Sequence, residues 1–534
     1  MKLIFKFVLI ILISATYFNS FSQNHDPKKS DQKFASALQI IRLAYVDTVN
    51  EEKLTEDAIK TILKELDPHS VYLSKDEIEK ANEPLVGNFE GVGIQFDILD
   101  DTIVVVTPIA GGPSEKLGIM PGDKICKINN ENSTGDKINN DFVVKKLRGQ
   151  KGSQVTVSIY RRGKKGLTDF TITRDKIPIY SVDAAYIAAP EVGYIKLNKF
   201  AASTMDEFNQ AVAKLKEKGM KHLILDLQNN SGGYLNTAIE LSDEFLMQDK
   251  MIVYTEGNNS PKQENIASGK GELEKGRLVL LVNEGSASAS EIVAGAVQDW
   301  DRGMLIGRRT FGKGLVQRPF TLPDGSVIRL TTAHYYTPSG RCVQKSYSEG
   351  NEKYYKDLNE RYKHGEYVNP DSIKFPDSLK FFTANKRVIY GGGGIMPDIF
   401  VPLDTSRVSD YYTQLIRKGV FTQYSMQYLD NGNREKIKKD YADVEAFDKK
   451  FILDDTFMTD FFAYADKLGV KKDDEGYRIS ENYIKITMKS FLARNLWDYG
   501  AFFRIYNEID DAYNKGLEVI QNKNKFKEYK LQDN

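Results

Sequence analysis

Three short apolar runs constrain the fold more than anything else in this chain: Gly193-Tyr194-Ile195-Lys196-Leu197, Ile224-Leu225-Asp226-Leu227 and Leu278-Val279-Leu280-Leu281-Val282. Such runs suit strands covered on both faces. Between the first two, Phe208, Val212 and Leu215 recur at helical spacing; after the third, Ile292, Val293, Ala296 and Val297 do the same. Strand, helix and strand in this rhythm predict an α/β core. The chain's 534 residues exceed what one core holds, so further domains are expected around it.

The third strand runs directly into Asn283-Glu284-Gly285-Ser286-Ala287-Ser288-Ala289-Ser290-Glu291, and Thr310-Phe311-Gly312-Lys313-Gly314-Leu315-Val316-Gln317 follows shortly after. Serines flanked by alanines at a helix start, with a lysine between two glycines, suit a serine nucleophile served by a lysine base. The lysine can take a proton only if burial or nearby positive charge lowers its pKa to roughly 7–8. Ala287 and Ala289 let a substrate backbone approach Ser288, and a helix start there aims unpaired N–H groups at a developing oxyanion. The chemistry this suggests is peptide-bond hydrolysis. Taken alone, the same residues also read as a packing device followed by a turn.

Five histidines, His25, His69, His222, His334 and His364, show no metal-ligand spacing, and neither a metal nor another cofactor is expected. His334, after the strand-like Ser326-Val327-Ile328-Arg329-Leu330, reads as a satisfied sheet-edge residue.

At the N-terminus, Lys2 and Lys6 accompany an apolar run from Phe7 to Ile13, and Ser20-Phe21-Ser22 supplies a cleavage pattern. This reads as a secretory signal cut after Ser22, with an uncleaved anchor as the alternative. No cysteine lies near the cut, which argues against a lipoprotein. Removal of residues 1–22 leaves a net charge of about −2, and without a basic block nucleic acid is not an expected partner. Cys126 and Cys342 fall in what should be different domains, so two buried thiols are expected rather than a disulfide.

Residues 23–84 carry helical periodicity in Leu38, Ile41 and Tyr45, then Ala58, Ile62 and Leu66, and Pro68 ends that helix. From 85 to 175 the pattern changes to short strands such as Ile103-Val104-Val105-Val106, Lys124-Ile125-Cys126-Lys127-Ile128 and Val155-Thr156-Val157-Ser158-Ile159. With Gly91-Val92-Gly93-Ile94 and Leu117-Gly118-Ile119-Met120-Pro121-Gly122-Asp123, this segment resembles a PDZ domain. The resemblance implies that Gly91, Val92, Gly93 and Ile94 capture a terminal carboxylate through backbone N–H groups. The core is expected at 176–403, with a charged, tyrosine-rich insertion at 345–387 whose role the sequence does not disclose. From 404 to 534 aromatic stripes predict helices: Phe457, Phe461, Ala465 and Leu468; Ile484, Met488, Phe491 and Leu492; Phe502, Tyr506, Ile509, Tyr513 and Leu517. They need covering, either by the core or by a second copy.

The blocks Leu66-Asp67-Pro68-His69-Ser70, Gly91-Val92-Gly93-Ile94, Gly118-Ile119-Met120-Pro121-Gly122-Asp123, Leu225 to Gly233, the two serine and lysine blocks, Tyr336-Thr337-Pro338-Ser339-Gly340-Arg341 and Gly394-Ile395-Met396-Pro397-Asp398 occur in this order. Together they resemble the carboxyl-terminal processing, or tail-specific, proteases. The resemblance implies a multidomain α/β protein: a helical N-terminal domain, a PDZ domain, a crotonase-like serine protease core and a helical C-terminal region. It places the nucleophile on Ser288, the base on Lys313 and a supporting glutamine on Gln317. The Ala289 N–H and a donor from Gly232 or Gly233 would form the oxyanion hole. Gln228 and Ser231 stand where the family usually has Arg and Pro, which puts the rigidity of that loop in question. An acid occurs in parts of the family at the position of Asp299. Eleven residues beyond Ser288, it returns to nearly the same helix face roughly 16 Å further along, which favours a structural role over assistance to Lys313. The expected partners are proteins or peptides with apolar C-termini, with a homo-oligomer or adaptor left open. The expected location is the periplasm or envelope of a bacterium. A PDZ scaffold without catalysis and a lipophilic-ligand carrier are the alternative functions.

Overall fold

Pro68 cannot follow a helical residue comfortably, and the second helix of the chain stops at Leu66. The computed structural model describes residues 27–99, 101–109, 111–529 and 531, so the expected signal segment lies outside the described residues. Two compact units divide after Leu66. The first holds α1 (Pro27–Ala44) and α2 (Glu51–Leu66). The second begins with β1 (Val71–Leu73) and α3 (Lys75–Val86), a helix capped by Ser74 and Glu77 and closed by Gly87 in the left-handed conformation.

The PDZ module follows: β2 (Asn88–Gly91), β3 (Ile94–Leu99), β4 (Thr102–Pro108), α4 (Pro113–Lys116), β5 (Lys124–Ile128), β6 (Glu131–Asn132), α5 (Asn140–Leu147), β7 (Gln154–Tyr160), β8 (Leu167–Thr173) and β9 (Asp175–Pro178). Its main sheet runs β3-β4-β5-β7-β8, which leaves β3 on an edge. The unbroken run Ile103-Val104-Val105-Val106 has a structural reason. Ile103 and Val105 face the module's own core, while Val104 and Val106 pack on Met426 of the C-terminal region.

The α/β core comprises β10 (Val182–Ala189), β11 (Val192–Leu197), α6 (Thr204–Glu217), β12 (His222–Asp226), α7 (Leu235–Asp243), β13 (Met251–Gly257), β14 (Ser260–Ile266), β15 (Leu278–Val282), α8 (Ala289–Asp299), β16 (Met304–Gly307), β17 (Leu315–Thr321), β18 (Val327–Tyr336), α9 (Asn351–Lys363), β19 (Lys380–Phe382), β20 (Val388–Tyr390) and β21 (Ile399–Phe400). Among the described residues one sheet runs β10-β11-β12-β15-β16-β21, parallel from β11 onward. Phe208, Leu241 and Val293 from α6, α7 and α8 bury one of its faces. A second sheet, β1-β18-β13-β14 with β17 on β18, stands beside it.

The C-terminal region contains α10 (Asp410–Arg417), α11 (Val420–Tyr428), α12 (Arg434–Asp440), α13 (Val444–Lys450), α14 (Asp455–Lys467), α15 (Asp474–Leu496), α16 (Tyr499–Tyr506), α17 (Asp511–Gln521) and α18 (Lys523–Glu528). Its first two aromatic stripes cover one another: Phe461, Ile484, Met488 and Leu492 are fully buried in a core of the region's own. The third stripe is not one helix. Asp510 accepts the Tyr513 N–H at 2.8 Å and starts α17, which separates Phe502 and Tyr506 from Tyr513 and Leu517. Tyr513, Val519, Ile520 and Phe526 then bury the remaining face of the parallel sheet, against Ile224, Val279, Leu281 and Ile306.

Candidate active site

Three adjacent parallel strands, β12, β15 and β16, end side by side, and the loops that leave them meet; such carboxyl-terminal crevices are where open α/β sheets place their chemistry. The loop after β15 leads to Ser288, the N-cap of α8. Its φ of +54° and ψ of −110° are a strained setting for a residue other than glycine. The loop after β16 carries Lys313, and that after β12 carries Gly232 and Gly233. Ser288, Ala289, Gly232, Gly233, Lys313 and Gln317 all line one cavity of about 540 Å³.

A fully buried carboxylate ties the loops together. Glu291 accepts the Ser288 N–H at 2.9 Å, the Lys313 N–H at 2.8 Å, the Gly312 N–H at 2.7 Å and the Thr310 hydroxyl at 2.6 Å. Burial raises its pKa, and these four donors oppose the rise. Tyr335, buried on β18, donates to the Lys313 carbonyl at 2.7 Å and stands 3.1 Å from the Ser288 carbonyl. The main chains of serine and lysine are therefore fixed relative to one another by two side chains that do not themselves carry the expected chemistry.

Burial is the first cause lowering the pKa of Lys313, and the charge of Arg329 lowers it further; Glu291 and Asp67 pull the other way. Gln317 Oε1 lies 3.5 Å from Lys313 Nζ, while its Nε2 donates to the His69 carbonyl at 2.7 Å, which orients the amide. His69 in turn hydrogen-bonds Tyr354 at 2.7 Å. Its pKa falls to about 4, through burial first and then the charge of Lys313, so its ring is neutral near pH 7. Asp67 holds this turn by accepting the N–H groups of His69 and Ser70 and the hydroxyl of Thr331 on β18.

Gly232 presses against Ala289: a Cβ there would lie 2.9 Å from the Ala289 nitrogen and 2.8 Å from Ser288 Cβ, so only glycine leaves that N–H open. Its own N–H, however, donates to Asn230 Oδ1 at 2.9 Å. This corrects the expectation for Gly232, and Ala289 and Gly233 remain as the candidate donors. The loop is braced without the family's arginine and proline. Asn230 donates to the Leu197 carbonyl at 2.8 Å, Asn283 Oδ1 accepts the Asn229 N–H at 2.8 Å while its amide donates to Asn229 Oδ1 at 3.0 Å, and Gln228 donates to Asp510 at 3.0 Å.

Asp299 sits at the far end of α8, where it pairs with Arg341 at 2.8 Å and accepts the Ser339 N–H at 2.9 Å, a structural role. His334 is not at a sheet edge. It is flanked by Leu315 on β17 and Glu256 on β13, and its ring faces Cys342 Sγ at 3.9 Å. Cys342 and Cys126 are free thiols, half-buried rather than buried. In the PDZ module, Gly91 ends β2 and Val92 is a core residue; the Val92 and Gly93 carbonyls accept from Ser114 and Ile109, and Ile94 begins β3. Gly93 has φ +74°, and a Cβ there would meet Ile177 Cδ1 at 2.9 Å.

Sequence reasoning gave no role to Glu291, Tyr335, Arg329, His69 or Tyr354. Glu291 carried a signal, the Ser-x-x-Glu spacing of a capping box. His69 was visible only as one of five histidines and in the Leu66 to Ser70 block, and Tyr354 lies in the insertion, which supplies α9.

Residues 191–352 match the family model described as peptidase family S41, residues 91–172 that of the PDZ domain, residues 13–77 the activating protease CtpB N-terminal domain, and residues 411–498 a family of unknown function. A probable CtpA-like serine protease of Staphylococcus epidermidis is 33% identical over 368 residues, covering 68% of this chain and 70% of that protein. The chain belongs to peptidase family S41. A probable CtpA-like serine protease of Staphylococcus aureus is 36% identical over 321 residues, 59% of this chain, and the chain spans 64% of that relative's length. A solved structure titled photosystem II D1 C-terminal processing protease aligns with 69% of this S41 chain and 92% of its own at 27% identity, with a TM-score of 0.36.

Proposed function

We propose that this chain is a serine endopeptidase that cleaves proteins near their C-termini, with Ser288 as nucleophile and Lys313 as base. The observation that carries the reading is the shared cavity: a strained serine at a helix start and a lysine of lowered pKa open into it, their backbones held by one buried carboxylate. Neutral Lys313 takes the Ser288 hydroxyl proton as the oxygen attacks the scissile carbonyl carbon. The oxyanion that forms accepts hydrogen bonds from the Ala289 N–H, at the positive end of α8, and from Gly233. Protonated Lys313 returns its proton to the leaving amine, and water then releases the acyl group by the same route. Gln317, fixed by the His69 carbonyl, orients the amine.

The cavity's apolar walls, Ile78 and Leu85 of α3 with Leu315 and Val327, favour an apolar side chain beside the cut. The edge strand β3 and the Gly91 to Ile94 turn support capture of a free, apolar C-terminus by strand addition. No helix among the described residues is long and apolar enough to cross a membrane. The N-terminal Lys2, Lys6 and Phe7 to Ile13 pattern supports export to a bacterial envelope.

The test is hydrolysis of an unfolded protein by the purified chain. Ser288→Ala and Lys313→Ala should each abolish it with the melting temperature near that of the parent, because the two groups act as one proton-transfer unit. Substantial turnover by Lys313→Ala would overturn the lysine-base mechanism. Binding of the unfolded protein without hydrolysis by the parent chain would favour a peptide-binding scaffold.

A further inference from the structure

The free edge of β3 does not face open solvent alone. Consecutive residues Ile94, Gln95, Phe96 and Asp97 border a cleft of about 390 Å³ whose opposite wall is Thr422, Arg494 and Tyr499 of the C-terminal helical region. The two parts are joined nearby: Arg162 of the PDZ module donates to the Asp430 carbonyl at 3.0 Å, and Met426 packs on Val104 and Val106. The wall therefore keeps its place beside the edge strand.

Arg494, in the last turn of α15, is the unusual member. Its guanidinium lies 4.6 Å from the Phe491 ring centre and 5.8 Å from that of Tyr499. Its Nε is buried without a hydrogen-bond partner, and it makes no ion pair among the described residues. Burial lowers its pKa; the Tyr499 hydroxyl, by charge and a hydrogen bond, and then the charge of Asp97 across the cleft oppose that. A half-buried cation at the rim of a peptide groove, its nearest carboxylate across the cleft and beyond ion-pair distance, can take an anionic partner.

We propose that Arg494 binds an acidic side chain of a peptide that adds as a strand to β3, so that the C-terminal helical region supplies part of the peptide-binding groove. Side chains on an added strand alternate between the two faces of the sheet. One face is the module's core, where Ile94 and Phe96 meet Val143 and Leu147 of α5; it takes the terminal side chain. The other holds Asp97, whose charge reaches Arg494, and its register partner Val104, on which Met426 packs. The penultimate residue therefore points toward Arg494. Glutamate there suits the guanidinium in charge and reach. The inference rests on the reading of the PDZ module as a binder of chain termini.

The test uses the full chain with Ser288→Ala, to prevent turnover, and fluorescein-labelled eight-residue peptides ending in valine with glutamate or glutamine as the penultimate residue. Fluorescence anisotropy should give about fivefold tighter binding of the glutamate peptide. Arg494→Gln should bring the ratio to about one and Arg494→Lys should keep part of it. Asp97→Asn, a change at a half-buried site that leaves the α15 packing intact, should increase it. Equal binding of the two peptides, or an unchanged ratio in Arg494→Gln, overturns the proposal even where free-acid peptides outbind their amidated forms. If amidated and free peptides bind alike, recognition of termini fails first, and this inference with it.

Discussion

At the residue scale the central observation is the setting of Lys313, the proposed base. Burial lowers its pKa first, Arg329 lowers it further, and Glu291 and Asp67 oppose both. A lysine base works when neutral, so the rate should rise with pH through its pKa. Arg329→Gln removes a repelling charge and raises that pKa. The rising limb of the pH–rate profile should move up by roughly half a pH unit, lowering the rate near pH 7 and restoring it at higher pH. His69 cannot supply this limb, since its pKa lies near 4. A limb that stays in place in Arg329→Gln would show that another group controls the rate. Ser288 and Lys313 were legible as candidates because serine-nucleophile chemistry asks for such residue types in a local pattern, and Gln317 through the family resemblance. Arg329, Tyr335 and His69 were not, because strand pairing and a turn from a distant part of the chain bring them to the cavity, and nothing in their neighbouring residues records that.

At the element scale the insertion acquires a task. Arg361 of α9, 4% exposed, donates to the carbonyls of Thr310 at 3.0 Å and Arg309 at 2.9 Å, and pairs with Glu366 at 3.0 Å. Those carbonyls belong to the loop that delivers Lys313, and α9 also brings Tyr354 onto His69. Arg361→Met keeps the stem but leaves two buried carbonyls unpaired. It should lower stability by about 3 kcal/mol, read from urea denaturation, and reduce kcat more than KM, because the lysine loop loses its brace while the cleft walls stay. A change in KM alone would mean that α9 serves substrate binding instead. The strands were readable from alternation and apolar runs, and the start of α8 from its small residues. The bracing of the Gln228 to Gly233 loop was not. Asn229, Asn230 and Asn283 replace the rigidity of a proline by hydrogen bonds that exist only once β11, β12 and β15 lie side by side.

At the scale of the whole molecule, the C-terminal helices answer two different needs with one stretch of chain. The region from α10 to α16 forms a core of its own around Phe421, Phe461 and Met488, whereas α17 and α18 serve as the cover for one face of the parallel sheet. Aromatic stripes were visible in the sequence, but periodicity says which residues are buried and not what buries them. That is why covering by the core and by a second copy could not be separated there. The structure divides the stripes between mutual packing and the sheet, and the division makes a prediction. Phe526 is fully buried, and Phe526→Ala should cost about 3–5 kcal/mol. Deleting residues 507–534 should do more, since it uncovers Ile224, Val279, Leu281 and Ile306 together and removes Asp510 from Gln228 beside the proposed oxyanion loop. The shortened chain should aggregate or bind a hydrophobic dye, and lose proteolysis with it. Phe461→Ala, in the other core, should destabilise α10 to α16 while leaving the sheet's cover in place, so hydrogen exchange should rise in those helices before it rises in β12 and β15. A deletion that stays soluble and active would mean that the sheet tolerates an open face and that α17 and α18 have another purpose.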